Sequence, residues 1–195
     1  MSVHTQGRRA ASSTDSSSKI QYVRCVGSAT LTSPLARDVG CLIDVDDSVS
    51  AWACRRLTFQ SGFEAHKPAI VAESDGGIVV IDVVVREVPP AWVADVVVKE
   101  GYVYKQMSRG DLDPVRLKNA RDLLRYSAVE VPLGDRIRLL AGLDEHGTLS
   151  LAECLSAFRE TIPIGGLASL ILQRFVEVDL DTLISPETLV RRYRG

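Results

Sequence analysis

An acidic and a basic residue lie on two Val-rich segments in the middle of the sequence. Asp82 interrupts the apolar run 78–85, and Lys99 ends a second run that begins at Val93. The Pro89-Pro90 break between the runs predicts two neighbouring antiparallel strands. An ionised carboxylate inside such a strand is costly unless it meets a cation, a metal ion or several donors. Folding the chain about Pro90 places Asp82 beside Lys99.

This pairing has two interpretations. A strand aspartate followed by a strand that ends in x-x-Lys is the outline of a metal-dependent nuclease site, in which Asp82 and Lys99 would be catalytic. The alternative is a cross-strand ion pair at a sheet edge, which would contribute about 0.2–1 kcal/mol if exposed. Asp95, inside the second run, has a comparable alternative as a strand residue that faces solvent.

Length and composition predict a protein with a packed core and one or two domains. The chain has 195 residues, 46% of them hydrophobic, and its net charge of −2 argues against non-specific coating of nucleic acid. The cysteines show no C-x-x-C pair and no zinc spacing with the histidines, which favours reduced thiols in the cytoplasm. No apolar stretch reaches membrane length, so we expect no membrane partner.

Residues 1–19 are rich in Ser and Thr and predict a disordered tail. Residues 20–132 form the first predicted domain, with weak strand signals at 22–26 and 41–45. Asp46-Asp47-Ser48 predicts a helix over residues 49–59. A strand is expected from Pro68, and Asp75-Gly76-Gly77 predicts a turn before the Asp82 strand.

A basic helix is predicted near the end of this domain. Asp113-Pro114 is a typical helix start and predicts a helix from Val115 to Tyr126. Lys118, Arg121 and Arg125 share one of its faces. They could bind DNA phosphates, or they could be a solvated helix face in which Lys118 pairs with Asp122.

Residues 133–195 predict a small second domain with three helices and a strand pair, the order of a winged helix. Helices are expected from Asp135 to Leu143, after the Ser150/Glu153 capping pattern, and from Pro163 to Arg174. The alternation over residues 176–181 predicts a strand, and Ser185-Pro186 predicts a final short helix. Arg174 is a candidate DNA contact at the end of the third helix, although the few polar residues of that helix favour packing or a protein partner over groove reading.

Several of these segments resemble the TnsA family of transposon endonuclease subunits. Ile81-Asp82-Val83 occupies the family's Pro-Asp place, Val97-Val98-Lys99 its x-x-Lys place, and Lys67-Pro68 a frequent Gln-Pro place. Residues 178–191 look like the family's ending. The resemblance implies a restriction-endonuclease-like mixed sheet flanked by helices, followed by a winged-helix domain. It also implies DNA hydrolysis with Mg²⁺ or Mn²⁺ held by Asp82, and a transposase and an ATPase subunit as partners.

The sequence departs from the family pattern at two expected carboxylates. Ala53 stands where the family's helix has Glu, and Val97 replaces the carboxylate of Glu-x-Lys. We therefore expect a TnsA-like endonuclease subunit of a mobile-element system whose activity is weakened or lost. Two alternatives remain open: a non-catalytic adaptor that uses the nuclease fold to bind DNA or a transposition partner, and a winged-helix transcription regulator.

Overall fold

The computed structural model describes residues 20–194, and the tail predicted for residues 1–19 lies outside them. The chain has an α/β fold with a mixed four-stranded sheet flanked by helices, as the sequence predicts at that level. The elements, in chain order, are α1 (Pro34–Asp44), β1 (Val49–Cys54), β2 (Phe59–Ser61), β3 (Glu64–His66), β4 (Ile70–Ser74), β5 (Gly77–Val83), α2 (Ala91–Lys99), β6 (Val103–Met107), α3 (Pro114–Leu124), α4 (Leu133–His146), β7 (Thr148–Ser150), α5 (Leu151–Cys154), α6 (Pro163–Leu172), β8 (Val176–Glu177) and β9 (Leu189–Arg192).

The main sheet has the strand order β1-β4-β5-β6. The pairs β1–β4 and β4–β5 are antiparallel, whereas β5–β6 is parallel. Ser74 pairs with Gly77, so Asp75-Gly76 forms the tight turn that the sequence predicts, and Gly77 takes a positive φ of 109°. The prediction of a strand through Asp82 is confirmed by β5.

The predicted strand over residues 93–98 is wrong, because this segment is helix α2. Val93 and Val97 are fully buried at helical spacing, while Asp95 and Val98 are exposed. A connection between the parallel strands β5 and β6 must cross over the sheet, and a helix is the usual crossover. The Val-rich composition therefore reflects one buried helix face against Phe59 and Val80 rather than a strand.

The first helix also lies earlier than predicted. Ser33 Oγ accepts a hydrogen bond from the Ala36 N–H (3.0 Å), and Pro34 opens α1. The strand expected at residues 41–45 is therefore wrong, since these residues end this helix. The helix expected over residues 49–59 is wrong too: its first half is β1, where Trp52 is buried between α1 and the sheet.

Helices α1 and α3 cover one face of the sheet, and α2 with the β2–β3 hairpin covers part of the other. The start of α3 is as predicted, because Asp113 accepts a hydrogen bond from the Arg116 N–H (2.7 Å) and Pro114 follows it. The fourth strand, β6, has no counterpart among the sequence predictions.

Residues after 132 form three helical segments and the antiparallel sheet β7-β9-β8. The capping box of Ser150 and Glu153 and the helix from Pro163 are confirmed. The strand predicted over 176–181 is shorter than expected and ends at Glu177. The final helix predicted at Ser185-Pro186 is wrong, because the chain continues into β9, which β7 and β8 flank on both sides.

This C-terminal part packs directly on the sheet. Ala168 and Leu172 of α6 and Leu180 belong to the same buried cluster as Trp52 and Ile81. Asn119 of α3 donates hydrogen bonds from Nδ2 to the carbonyl groups that follow β8, at residues 180 and 182. The core therefore extends across the predicted boundary at residue 132. Within residues 20–194, no helix is long and apolar enough to span a membrane.

Candidate functional site

Asp82 lies near the carboxyl end of β5 and is 95% buried, with a relative exposure of 5%. Its Oδ2 accepts hydrogen bonds from the Tyr104 hydroxyl (2.8 Å) and from His66 Nε2 (2.7 Å). His66 must present an N–H at Nε2, because an ionised carboxylate only accepts. Tyr104 comes from the parallel neighbour β6, and His66 ends β3, so three elements meet at one carboxylate oxygen.

These two donors offset part of the free-energy cost of burying the Asp82 carboxylate. A buried charge is costly unless hydrogen bonds or a counter-charge compensate it. Burial, and then the hydrogen bond to Asp82, raises the pKa of Tyr104. Tyr104 therefore stays a neutral donor at physiological pH, and the contact also attaches the β2–β3 hairpin to the main sheet through His66.

Lys99 does not lie opposite Asp82. It is exposed in the last turn of α2, just before β6 begins opposite Val79, whereas Asp82 is paired with Gln106 further along that strand. The predicted hairpin register is therefore wrong, because the segment after Asp82 is helix α2 and the strand that pairs with β5 beyond it, β6, is parallel. The nearest polar partners of Asp82 are His66 and Tyr104 instead.

A polar cleft of about 190 Å³ opens beside Asp82 at this end of the sheet. Arg55 follows β1 and Lys67 precedes β4, and the Arg55 N–H donates to the Ala69 carbonyl (3.2 Å) across the two strands. Arg55 adopts a left-handed backbone conformation with φ 49°. The cleft is completed by residues before and within α1 and by two residues of the β4 and β5 strand region: Thr30, Leu31, Thr32, Ala36, Ala69 and Val83.

A metal site at Asp82 would need further carboxylate ligands. Ala53 is buried on β1 and Val97 on α2, so neither expected position supplies a carboxylate. Glu64 accepts a hydrogen bond from Trp92 Nε1 (2.6 Å). Among residues 20–194, no three His, Cys, Asp or Glu side chains are grouped so that they could hold a metal ion. Mg²⁺ prefers octahedral oxygen coordination, for which Asp82 alone supplies few ligands.

The basic residues of α3 are paired with carboxylates. Lys118 Nζ lies 2.8 Å from Asp122 Oδ2, as the solvated-face interpretation expects, and Arg125 lies 3.7 Å from Asp122 Oδ1. Arg121 pairs with Asp38, a buried residue of α1. Asp122 is shared by Lys118 and Arg125, and Asp38 also pairs with Arg109, so these pairs offset only part of the positive charge of the three side chains.

The side chain of Arg174 makes hydrogen bonds within the fold. Arg174 follows α6 with a positive φ of 58°, and its Nη2 donates to the carbonyl groups of Asp46 (2.9 Å) and Val49 (2.7 Å). Its guanidinium also lies 5.8 Å from the Tyr193 ring centroid. Most of α6 is buried, so this helix packs against the sheet unit rather than facing a groove.

Three residues around Asp82 and one ion-pair partner of Arg121 were not singled out from the sequence. They are His66, Tyr104, Arg55 and Asp38. The Ser33-Pro34 helix start could have placed Asp38 on a helix, because a polar cap before Pro is a recognised signal. Nothing local predicts Tyr104 or His66. The contact of Tyr104 with Asp82 depends on the parallel pairing of β5 and β6, and that of His66 depends on where the β2–β3 hairpin packs.

Two comparisons with known proteins give no relative for this chain. No protein-family model matches it, and no curated protein matches it significantly.

Proposed function

We propose that the protein is a non-catalytic adaptor of a DNA transposition or mobile-element system, with a nuclease-like fold that binds DNA. The observation that carries the proposal is the environment of Asp82, whose Oδ2 is engaged by His66 and Tyr104. The two other carboxylates expected from the TnsA-like pattern are Ala53 and Val97. A transposase and an ATPase subunit, and a cytoplasmic location, are part of the same proposal.

The architecture supports the nuclease-like part of the proposal. A mixed sheet with helices on both faces is what the TnsA resemblance implies, and β5 carries Asp82 at the sheet end where a cleft opens. In the TnsA-like alignment, Asp82 is the one carboxylate that matches the family pattern.

The order of the C-terminal elements supports the winged-helix part. Three helical segments are followed by β8 and β9, and β7 completes a three-stranded sheet. In this arrangement α6 would be the recognition helix, but it is buried against α3 and the sheet unit. The burial favours a bracing role for this module over groove reading, and therefore the adaptor over a winged-helix transcription regulator.

The first test separates binding from hydrolysis. The full chain is incubated with supercoiled plasmid and with labelled duplex DNA, in EDTA and in millimolar Mg²⁺ or Mn²⁺. We expect salt-sensitive binding with weak sequence preference in all three conditions, and no nicking by wild type or by Asp82→Ala. Metal-dependent nicking that Asp82→Ala abolishes would establish the endonuclease instead.

A second measurement addresses the metal directly. A ligand that binds only the folded state raises the melting temperature by mass action. We expect millimolar Mg²⁺ or Mn²⁺ to leave the melting temperature of wild type and Asp82→Asn equally unchanged. A metal-dependent rise in wild type alone would show that Asp82 still anchors a cation, and the non-catalytic proposal would fail.

A further inference from the structure

Two cationic side chains, Arg55 and Lys67, line the cleft beside Asp82. Among residues 20–194, no acidic side chain forms an ion pair with Arg55 or Lys67, whereas Arg109 and Arg121 pair with Asp38 and Lys118 pairs with Asp122. Arg55 and Lys67 are both exposed at the cleft mouth. Their charges are therefore available to a ligand from solution.

The backbone holds both cations at the same end of the sheet. Cys54 pairs with Ile70, so the residue after β1 and the residues before β4 are neighbours across the ladder. Arg55 adopts its left-handed conformation at this point, a backbone state that costs free energy for a residue with a side chain. Lys67 precedes Pro68, which restricts its backbone to extended conformations. The two side chains therefore start from fixed positions.

The single acidic residue of the cleft does not cancel the positive charge of Arg55 and Lys67. Asp82 is the acidic residue that lines the cleft, and its Oδ2 already accepts hydrogen bonds from Tyr104 and His66. Arg55 and Lys67 provide two formal positive charges against the single negative charge of Asp82, so the cleft keeps a net positive charge. Thr30 and Thr32 also line the cleft and add hydroxyl groups that can donate to an anion.

We propose that Arg55 and Lys67 hold a phosphate group in the Asp82 cleft without a metal ion. An arginine fork and a lysine ammonium together match the charge and the oxygen geometry of a phosphodiester or a free phosphate. The cleft, at about 190 Å³, has room for one such group with part of an attached sugar. For a phosphodiester, the inference rests on the proposed DNA binding, and it locates one contact with the DNA backbone in this cleft.

The test compares two double variants of the full chain that lose the same charge. Arg55→Gln/Lys67→Gln removes the cleft cations, and Lys99→Gln/Arg159→Gln removes two exposed cations, one at the distant end of α2 and one in the C-terminal part. Binding to duplex DNA is titrated in EDTA at several salt concentrations. We expect the cleft variant alone to bind more weakly, with a salt slope smaller by about one unit for the lost phosphate contact.

A second arm uses inorganic phosphate and follows backbone amide signals by NMR in EDTA. We expect phosphate to shift the amides around Arg55, Ala69 and Asp82 in wild type and not in the cleft variant. Phosphate shifts without any DNA binding would support a free-phosphate site while the proposed DNA function fails. DNA binding with equal slopes in both variants and no cleft shifts would overturn the inference but leave DNA binding intact. If wild type shows neither DNA binding nor phosphate-induced shifts, both the phosphate site and the proposed DNA binding are overturned.

Discussion

Each of the buried aspartates in the described chain is met by several donors. Asp44 accepts from the backbone N–H groups of Val23 and Arg24 and from Trp52 Nε1, at 2.7–2.8 Å. Asp38 pairs with two arginines, and Asp82 with a histidine and a tyrosine. Since an unpaired buried charge is expensive, these groups act as fixed junctions between elements. Asp82 therefore connects secondary-structure elements, as the other buried aspartates do, and it also lines the cleft.

Asp135 gives the clearest pH dependence. Its burial would raise its pKa, but hydrogen bonds from the Arg159 N–H, the Arg138 guanidinium and the N–H groups of Glu160 and Thr161 outweigh this and lower the pKa to about 2. A depressed folded-state pKa stabilises the protein above the unfolded value near 3.8, and the contribution is lost as the pH falls toward 2. We expect urea midpoints to drop across this window.

The control for this prediction is Asp135→Asn, which keeps the shape of the side chain and removes its titration. We expect the variant to be less stable than wild type at pH 7, because an amide is a poorer acceptor for three backbone N–H groups. The stability difference between the two proteins should shrink between pH 4 and 2. A constant difference across that range would contradict the assignment of the acid sensitivity to Asp135.

The contact between Asp82 and Tyr104 predicts energetic coupling. In a cycle of Asp82→Asn and Tyr104→Phe, we expect an interaction energy of roughly 0.5–3 kcal/mol, because the two side chains share one hydrogen bond. The matched cycle of Asp82→Asn and Lys99→Met should be additive within about 0.5 kcal/mol, since Lys99 is at the other end of the strand pair. Chemical unfolding of all variants provides the measurement. Strong coupling between Asp82 and Lys99 would support the predicted hairpin, in which the two side chains are neighbours, and would contradict the observed arrangement.

At the scale of elements, α2 shows how a Val-rich segment can be helical. β-branched residues are only slightly unfavourable in helices, and tertiary burial overrides the difference. Val93 and Val97 fill the space over Phe59 and Val80, and the parallel pairing of β5 with β6 requires a crossover. The position of the element in the topology decides its conformation.

The helix predicts a contrast between adjacent valines. We expect Val97→Ala to destabilise the protein by roughly 1.5–3 kcal/mol, because it removes buried methyl groups and leaves a cavity. Val98, which is 61% exposed, should tolerate alanine within about 0.5 kcal/mol. Denaturant midpoints at constant m-value check both. Equal losses at the two positions would contradict the helical arrangement.

The sequence was informative where a signal is local. The Asp75-Gly76 turn, the Asp113-Pro114 helix start and the Ser150/Glu153 capping box are all present, because neighbouring residues alone produce them. α2, β6 and β9 were missed because their conformations depend on partners far along the chain. The same contrast holds for the residues at the cleft. Asp82 was found from the apolar residues around it in the sequence, whereas the positions of Arg55, His66 and Tyr104 depend on how the strands pair.

At the scale of the whole molecule, the two predicted domains share a core. Leu172 and Leu180 pack in the cluster that contains Trp52, and Arg24 donates to the Leu172 carbonyl (3.1 Å). Arg174 is bonded to the Asp46 and Val49 carbonyl groups. The two parts are thus joined by a buried apolar cluster and by arginine hydrogen bonds to backbone carbonyl groups, unlike loosely linked domains.

We therefore expect residues 20–194 to unfold as one cooperative unit. Tryptophan fluorescence reports only on the sheet unit, through Trp52 and Trp92, whereas far-UV circular dichroism reports on the helices of both parts. The two probes should give coincident denaturant transitions, and Leu172→Ala should lower both midpoints by the same amount. A fluorescence transition that is separate from the circular dichroism transition would show that the predicted boundary at residue 132 divides independent domains.

The hydrogen bond from Arg24 to Leu172 joins residues 148 positions apart, and that from Arg174 to Asp46 spans 128. On a ribosome, the sheet would emerge long before α6, which fills its apolar face. Contacts of such high sequence separation slow folding and leave hydrophobic surface open in the meantime. A nascent chain stalled before residue 163 should remain sensitive to protease and bound by chaperones, and it should become resistant only when nearly the whole chain has been synthesised.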